Sequence, residues 1–372
     1  MKYVDEYRDG ALARTVAAAI GTEAASGHEY RFMEFCGGHT HALWRHGIVD
    51  LLPDNVRMVH GPGCPVCVLP MGRIDDALAL TERPEVILCS YGDALRVPGS
   101  RQVSLLKAKA AGRDIRMVAS TLDALALARA NLDRVVVFFA IGFETTTPPT
   151  ALALIKAKEQ GLTNFTVFSN HVLTPAAIHA ILDAPPTPEG ESVALDGFIG
   201  PGHVSAVIGY RPYEPFAELY KKPVVISGFE PLDVMQSILM LIRQVNDGRA
   251  VVENQYGRAV RRDGNAKAMA MVERAFETRE TFEWRGLGLL PDSALRPRAE
   301  FVDYDAEVRF QVPGISVADN KACACGPILR GLKKPLDCKL FGRVCTPENP
   351  IGACMVSSEG ACAAYYSYGR FK

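Results

Sequence analysis

Residues 31–41 read RFMEFCGGHTH: a short apolar and aromatic run, then Cys36, two glycines and a polar turn that opens a helix-like stretch. A run of this length that stops at a Gly-rich turn and feeds a helical pattern is the signature of a strand followed by a helix. The pattern recurs. VRMVH (56–60) leads to GPGCPVC, EVILCS (85–90) to YGDALRVPG, and DIRMVAS (114–120) to TLDALALARA. It then repeats as RVVVFFA (134–140) before IGFETTTPP, NFTVFS (164–169) before NHVLTP, DGFI (196–199) before GPGHVSAVIG, and KPVVIS (222–227) before GFEPLDVMQ. Strands alternating with helices predict an α/β fold with mainly parallel sheets.

Two sets of four strand-loop units, each containing a Gly-Pro-Gly (Gly61–Gly63 and Gly200–Gly202), predict two related α/β domains, over 1–120 and 121–229. After residue 230 the strand signal fades. SILMLIRQV (237–245) and AKAMAMVERAF (266–276) read as helices, EWRGLGLLP (283–291) as a turn-rich connection, and VRFQV (308–312) as one more short strand. Residues 230–372 are therefore expected to form a third, irregular and partly helical domain. At the other end, residues 4–25 read as an amphipathic helix that serves packing. In parallel α/β sheets ligands sit at the carboxyl ends of strands, where every unusual loop of this chain falls. The loops should converge on one or two clefts.

With 372 residues, 48% of them hydrophobic and 22% charged, the chain can bury substantial cores. The net charge of −1, with Lys and Arg dispersed, offers no electrostatic footprint for nucleic acid or an anionic membrane. No apolar run approaches the ~18 residues of a membrane span, and the first residues are charged, so a cytoplasmic protein is expected. In that compartment ten cysteines argue for metal binding or redox chemistry rather than structural disulfides.

Three constellations can carry that chemistry. In FMEFCGGHTHALWRHG, Cys36 at a strand end is followed by His39, His41 and His46. A thiolate with imidazoles nearby suits one iron or zinc ion, or a nucleophile with its base; the plainer alternative is a buried core thiol with turn-capping histidines. In HGPGCPVCVLP, Cys64 and Cys67 form a single C-x-x-C with Pro65 inside it. With no second such hook to complete a zinc ribbon, a redox dithiol is the leading expectation, ahead of half a zinc site or two buried thiols.

The third constellation is KACACGPILRGLKKPLDCKLFGRVCTPENPIGACMVSSEGAC (321–362), which holds six of the ten cysteines. Its spacings, C-x-C, then twelve residues, C-x6-C, C-x8-C and C-x7-C, are longer and more varied than zinc hooks. Four thiolates around iron and sulfide are expected, against a zinc site or loosely packed thiols, with a pair of cysteines left over. Glu144 and His203 are weaker candidates that can equally satisfy local backbone groups. Cys89, in the middle of a strand, is expected to be core.

These motifs, together with GDALRVPGS, VENQYGR, EWRGLG and MVSSEGACAAYY, resemble the HypD family of hydrogenase maturation proteins from VDEYRD near the N-terminus to the end of the chain. The resemblance implies two α/β domains plus a domain bearing a 4Fe-4S cluster. It also implies a scaffold on which the Fe(CN)2CO unit of NiFe hydrogenases is assembled, with a small HypC-type chaperone and a HypE-type cyanide donor as partners and the hydrogenase large subunit as the indirect recipient. By the same resemblance Cys36 holds the nascent iron, Cys64 and Cys67 form the family dithiol, and Cys325, Cys338, Cys345 and Cys362 ligate the cluster. Cys323 and Cys354 remain as a second redox pair beside it, as in ferredoxin-dependent thioredoxin reductases. His39 is then placed to hydrogen-bond a cyanide nitrogen or to ligate transiently. The competing functions are a cluster-fed dithiol-disulfide oxidoreductase and, weakest, a zinc-bearing interaction module.

Overall fold

Strands buried on both faces need covering helices on both sides, and that requirement organises the chain. The computed structural model describes residues 5–24, 27–186 and 193–369. Its first nine strands are β1 (Tyr30–Glu34), β2 (Val56–His60), β3 (Val86–Ser90), β4 (Ile115–Met117), β5 (Val135–Gly142), β6 (Phe165–His171), β7 (Gly197–Pro201), β8 (Val224–Ser227) and β9 (Val252–Asn254). They form two sheets, ordered β2-β1-β7-β8-β9 and β4-β3-β5-β6, with every pairing parallel. The α/β class with mainly parallel sheets is as expected, and the eight strands of the two strand-loop sets are all present.

Their grouping differs from the expectation. β1 and β2 share a sheet with β7, β8 and β9, while β3 to β6 form the other, so a boundary at residue 120 does not separate the sheets. The physical reason is that strand-turn-helix grammar is local, whereas a parallel crossover of any length returns a strand to its sheet. Both sheets nevertheless follow one plan: the second strand lies outside the first, and the chain then crosses to the first strand's other edge. Each therefore has a switch point, between β1 and β7 in one and between β3 and β5 in the other, where the loops diverge and leave a crevice.

The segment beyond residue 230 also departs from the sequence reading. The helix Pro231–Asn246 and β9 complete the first sheet's unit. EWRGLGLLP belongs to a hairpin, with β11 (Thr281–Trp284) antiparallel to β12 (Gly288–Pro291), and β10 (Phe276–Thr278) pairs with β13 (Leu295–Pro297). VRFQV is not a strand: its first three residues end the helix Ala306–Phe310, because Asp305 accepts the Glu307 N–H and starts a helix there against the β-branched preference. The N-terminal helix runs Gly10–Glu23; Val4 and Ala25 of its expected span lie outside the described residues. From Cys323 onward the chain is short helical turns and loops packed on the core that carries β7 and β8. No described helix is long and apolar enough to cross a membrane.

Candidate functional site

β1 runs out at Glu34, and two residues later Cys36 serves as N-cap of the helix Gly37–Arg45 in extended conformation, its side chain making no capping bond. The sulfur lies close to the Gly38 and His39 N–H groups without a well-made capping bond. Beneath it Glu34 is fully buried, accepting from the Thr40 hydroxyl, from His60 Nδ1 at 2.9 Å and from the Cys36 N–H at 3.1 Å. Burial pushes the Glu34 carboxyl up, and burial with the Glu359 and Glu34 charges pushes the Cys36 thiol well up. Such a thiol is protonated when alone and gives up its proton when a cation arrives.

The C-x-x-C loop lies directly on this one. Gly37 N–H donates to the Gly63 carbonyl at 3.1 Å, and a side chain at Gly63 would collide with the backbone of Phe35 and Cys36. Only glycine lets the two loops touch. Gly38 is equally constrained, since a Cβ there would sit 2.8 Å from the Phe229 ring. That ring, just beyond β8, is sandwiched by His39 at 4.7 Å and His203 at 3.8 Å, with Tyr256 edge-on at 6.1 Å. Loops following β1, β7, β8 and β9 thus meet in one place.

His39 is completely buried. Its Nε2 faces two carbonyls, Ser227 at 3.2 Å and Gly228 at 3.1 Å, so Nε2 carries the hydrogen and Nδ1 keeps a lone pair. Burial lowers its pKa to about 4, and the ring is neutral at physiological pH. The crevice does not gather the other histidines of the motif. His41 Nδ1 reaches the Ser358 carbonyl at 3.4 Å on the far side of the helix, and His46 is exposed at its C-terminal cap.

Cys64 and Cys67 are buried at the start of a short helix, Pro65–Val68, with the Cys67 N–H donating to the Cys64 carbonyl at 3.0 Å. All ten cysteines are free thiols. Cys67 interacts with Cys64 on one side and with Cys354 on the other. Cys354 in turn lies against Cys325 and Cys362, and Cys323 against Cys325. Thiol donors on three sides hold the Cys354 pKa well below its ordinary value, while Cys67 and Cys362, buried and donating to it, are raised. Sequence reasoning put Cys64/Cys67 and Cys323/Cys354 into two pairs. The closest link that the structure draws between those pairs is Cys67 to Cys354.

Around this nest, Cys345 Sγ accepts the Ile351 N–H at 3.3 Å and a second bond from Gly352, and a Cβ on Gly352 would lie 2.5 Å from the sulfurs of both Cys323 and Cys325. Cys338 is more open, with its Sγ 4.0 Å from the Ala322 carbonyl beside Cys323. Among the described residues no group of three or more His, Cys, Asp or Glu is arranged around a centre for a metal ion; the thiols touch one another instead. The donor set itself is all sulfur, with backbone N–H groups directed at Cys345, and that chemistry suits iron and sulfide better than a harder ion.

The weaker candidates have local roles. Glu144 accepts the Thr174 N–H at 2.8 Å and its hydroxyl at 2.9 Å, holding the first turn of the helix Thr174–Leu182, and burial pushes it up to about 7. It also lines a cavity of about 420 Å³ with Pro212, Ile208 and Leu173. Cys89 is core in β3, its thiol raised to about 12. Sequence reasoning missed Glu34, Tyr213, Phe229 and Glu359. Phe229 had a signal, the aromatic directly after the VVIS strand; Glu34 and Tyr213 had none.

The family model described as "HypD: Hydrogenase formation hypA family" matches residues 11–369. The chain is 65% identical over 372 residues to the "Hydrogenase maturation factor HypD" of Rhizobium leguminosarum bv. viciae, covering all of this chain and 97% of that protein. It is 63% identical over 372 residues to the protein of the same description from Cupriavidus necator, covering all of this chain and 98% of the relative. To that of Escherichia coli (strain K12) it is 45% identical over 374 residues, covering 99% and 98%.

Proposed function

The chain belongs to the HypD family of hydrogenase maturation factors, and from that premise we propose that it is the scaffold on which the Fe(CN)2CO unit is assembled, with Cys36 holding the iron while its ligands are added. The observation that carries this reading is the meeting, at the strand ends of the first sheet, of an uncapped thiol at Cys36, a neutral imidazole with a free lone pair at His39, and a dithiol loop whose Gly63 carbonyl accepts the Gly37 N–H beside Cys36. Low-spin Fe(II) with cyanide and carbonyl ligands is a soft ion, and a thiolate is its natural anchor. Cys36 releases its proton to bind the iron, which a buried thiol among carboxylates does only when the cation replaces it. His39 Nδ1, an acceptor, can give its lone pair to the iron but has no hydrogen for a cyanide nitrogen. The partners in this reading are a small HypC-type chaperone that shares the iron and a HypE-type cyanide donor. The product passes on to the hydrogenase large subunit.

The C-terminal thiols support a resident 4Fe-4S cluster on Cys325, Cys338, Cys345 and Cys362, which when bound supplies single electrons. What this chain's own residues do is hold the dithiol within reach: Cys64 and Cys67 together store two electrons and two protons, and Cys354 touches Cys67. That contact also favours the second reading, a dithiol-disulfide oxidoreductase. Anaerobic co-purification with the small partner followed by infrared spectroscopy decides between them. Cyanide and carbonyl bands that vanish in Cys36→Ala support the scaffold. Thiol turnover without such bands supports the oxidoreductase.

A further inference from the structure

Two buried polar atoms on segments that follow β1 and β7 have no hydrogen-bond partner among the described residues, His39 Nδ1 and Tyr213 Oη. Their chemistry is opposite. The imidazole nitrogen is a lone-pair acceptor because Nε2 carries the hydrogen. The phenol is a donor. A hydroxyl buried without a partner costs about 1–3 kcal/mol, and native proteins tolerate few of them.

Tyr213 closes the turn Arg211–Tyr213 and is completely buried. Its turn follows the helix Gly202–Ile208, which leaves the end of β7. Glu34 pairs with Ile199, so Cys36 is level with Pro201, whose carbonyl accepts the Ser205 hydroxyl at 2.8 Å. Tyr213 Oη lies near Ser205 Oγ without forming a well-made hydrogen bond, and within electrostatic reach of both Cys36 and Glu144. Neither neighbour takes the phenol's hydrogen. The Glu144 oxygens accept from Thr174 instead, and the phenol makes no hydrogen bond to Cys36. Burial keeps the phenol protonated, hence a donor, throughout the physiological range.

We propose that the Tyr213 O–H recognises a cyanide on the iron held at Cys36, donating a hydrogen bond to its nitrogen. This rests on the scaffold reading. A cyanide bound through carbon presents a nitrogen lone pair directed away from the metal, whereas a carbonyl oxygen is a much poorer acceptor. One fixed donor therefore favours cyanide over carbon monoxide at the position that faces it, and assigns that side of the iron to cyanide. The residue contacts the cargo and leaves the folding of the sheet to its ring.

The test is infrared spectroscopy of the full chain, purified anaerobically with its small partner, in H2O and D2O. In the wild type one cyanide band should move on deuteration. In Tyr213→Phe, which removes one oxygen and keeps the ring, that band should lie at lower frequency and lose its solvent sensitivity, with the carbonyl band and the thermal midpoint almost unchanged. Identical cyanide bands in the two proteins overturn the inference. Wild-type bands indifferent to D2O overturn it without recourse to the variant. Absence of any cyanide or carbonyl band from the wild-type complex removes the scaffold reading, and this inference with it.

Discussion

The two sheets share a strand plan and treat the polar groups at their strand ends in opposite ways. Beside β5 and β6, hydroxyls and carboxylates satisfy one another: Thr146 and Thr147 donate to the Phe143 carbonyl at 3.2 and 3.1 Å, Glu144 takes both donors of Thr174, and His171 meets Thr150 at 3.1 Å. Between β1 and β7 the same architecture leaves a sulfur uncapped and two buried polar atoms unpartnered. One set of strand ends is closed by its own hydrogen bonds and the other is left open. Topology supplies the place, and the balance of satisfied and unsatisfied groups decides whether the place is a site.

The largest effect separates two strand-associated thiols. Cys36→Ala should abolish the cyanide and carbonyl bands of the partner complex while changing unfolding free energy by less than about 1 kcal/mol, since a loop side chain is removed. Cys89→Ala, in the other sheet, should keep the bands and cost about 1–2 kcal/mol in a denaturant melt, as deletion from a packed core does. Bands lost in Cys89→Ala would break the contrast between the sheets.

Next is the thiol nest that touches Cys67. If the proposed cluster sits there, serine at Cys338 or Cys345 should bleach its broad absorption and loosen the segment from Cys323 onward, which the metal would tie together. Serine at Cys354 should leave that absorption and instead change how readily Cys64 and Cys67 oxidise, read by thiol trapping across a series of redox buffers. Full absorption in Cys338→Ser would show the ligand set to be wrong.

A smaller effect belongs to the closed strand ends after β5 and β6. Glu144 has a folded pKa raised by burial to about 7 from 4.5, so its contribution is present below the unfolded pKa and is lost as pH rises through the folded one. Relative to Glu144→Gln, the wild type should lose roughly 3 kcal/mol between pH 4.5 and 7.5, measured by urea unfolding at each pH. His39 and His171, lowered by burial to about 4 and about 3, act in the opposite sense below pH 6.5, and are common to both proteins. A flat difference would mean that Glu144 is solvated or ionised in place. Smallest of all, Phe229→Leu should cost about 1 kcal/mol by dissolving the imidazole sandwich, and should alter the cyanide bands, whereas Phe276→Leu beside His171 should not.

Much of this was legible in the sequence because strand ends announce themselves. A short apolar run that meets a polar turn announces a strand and its following loop, and all eight strands read that way are present. The same signal misled at the next level: Gly61–Gly63 and Gly200–Gly202 looked like one feature in each half, yet both follow strands of a single sheet. Sheet membership depends on which strands bury each other's faces, and no local pattern reports that. VRFQV failed for a related reason, as one capping carboxylate at Asp305 outweighed β propensity. Cys36, Cys64 and Cys67 were visible as chemistry, while Tyr213, arriving from a turn far along the chain, becomes part of the site only through register and packing.

The insertion of β3 to β6 between β2 and β7 also sets a schedule. As the ribosome releases the chain, the second sheet's strands emerge consecutively and can fold as a unit, while β1 and β2 wait for Gly197–Pro201 and the later strands. Cys36 is made early, but its imidazole-aromatic wall arrives with Phe229, and Cys354 and Cys362 follow more than a hundred residues after that. Until Phe229 emerges Cys36 stands without the wall beside it, and the surroundings described above come together only after Cys362 has been made.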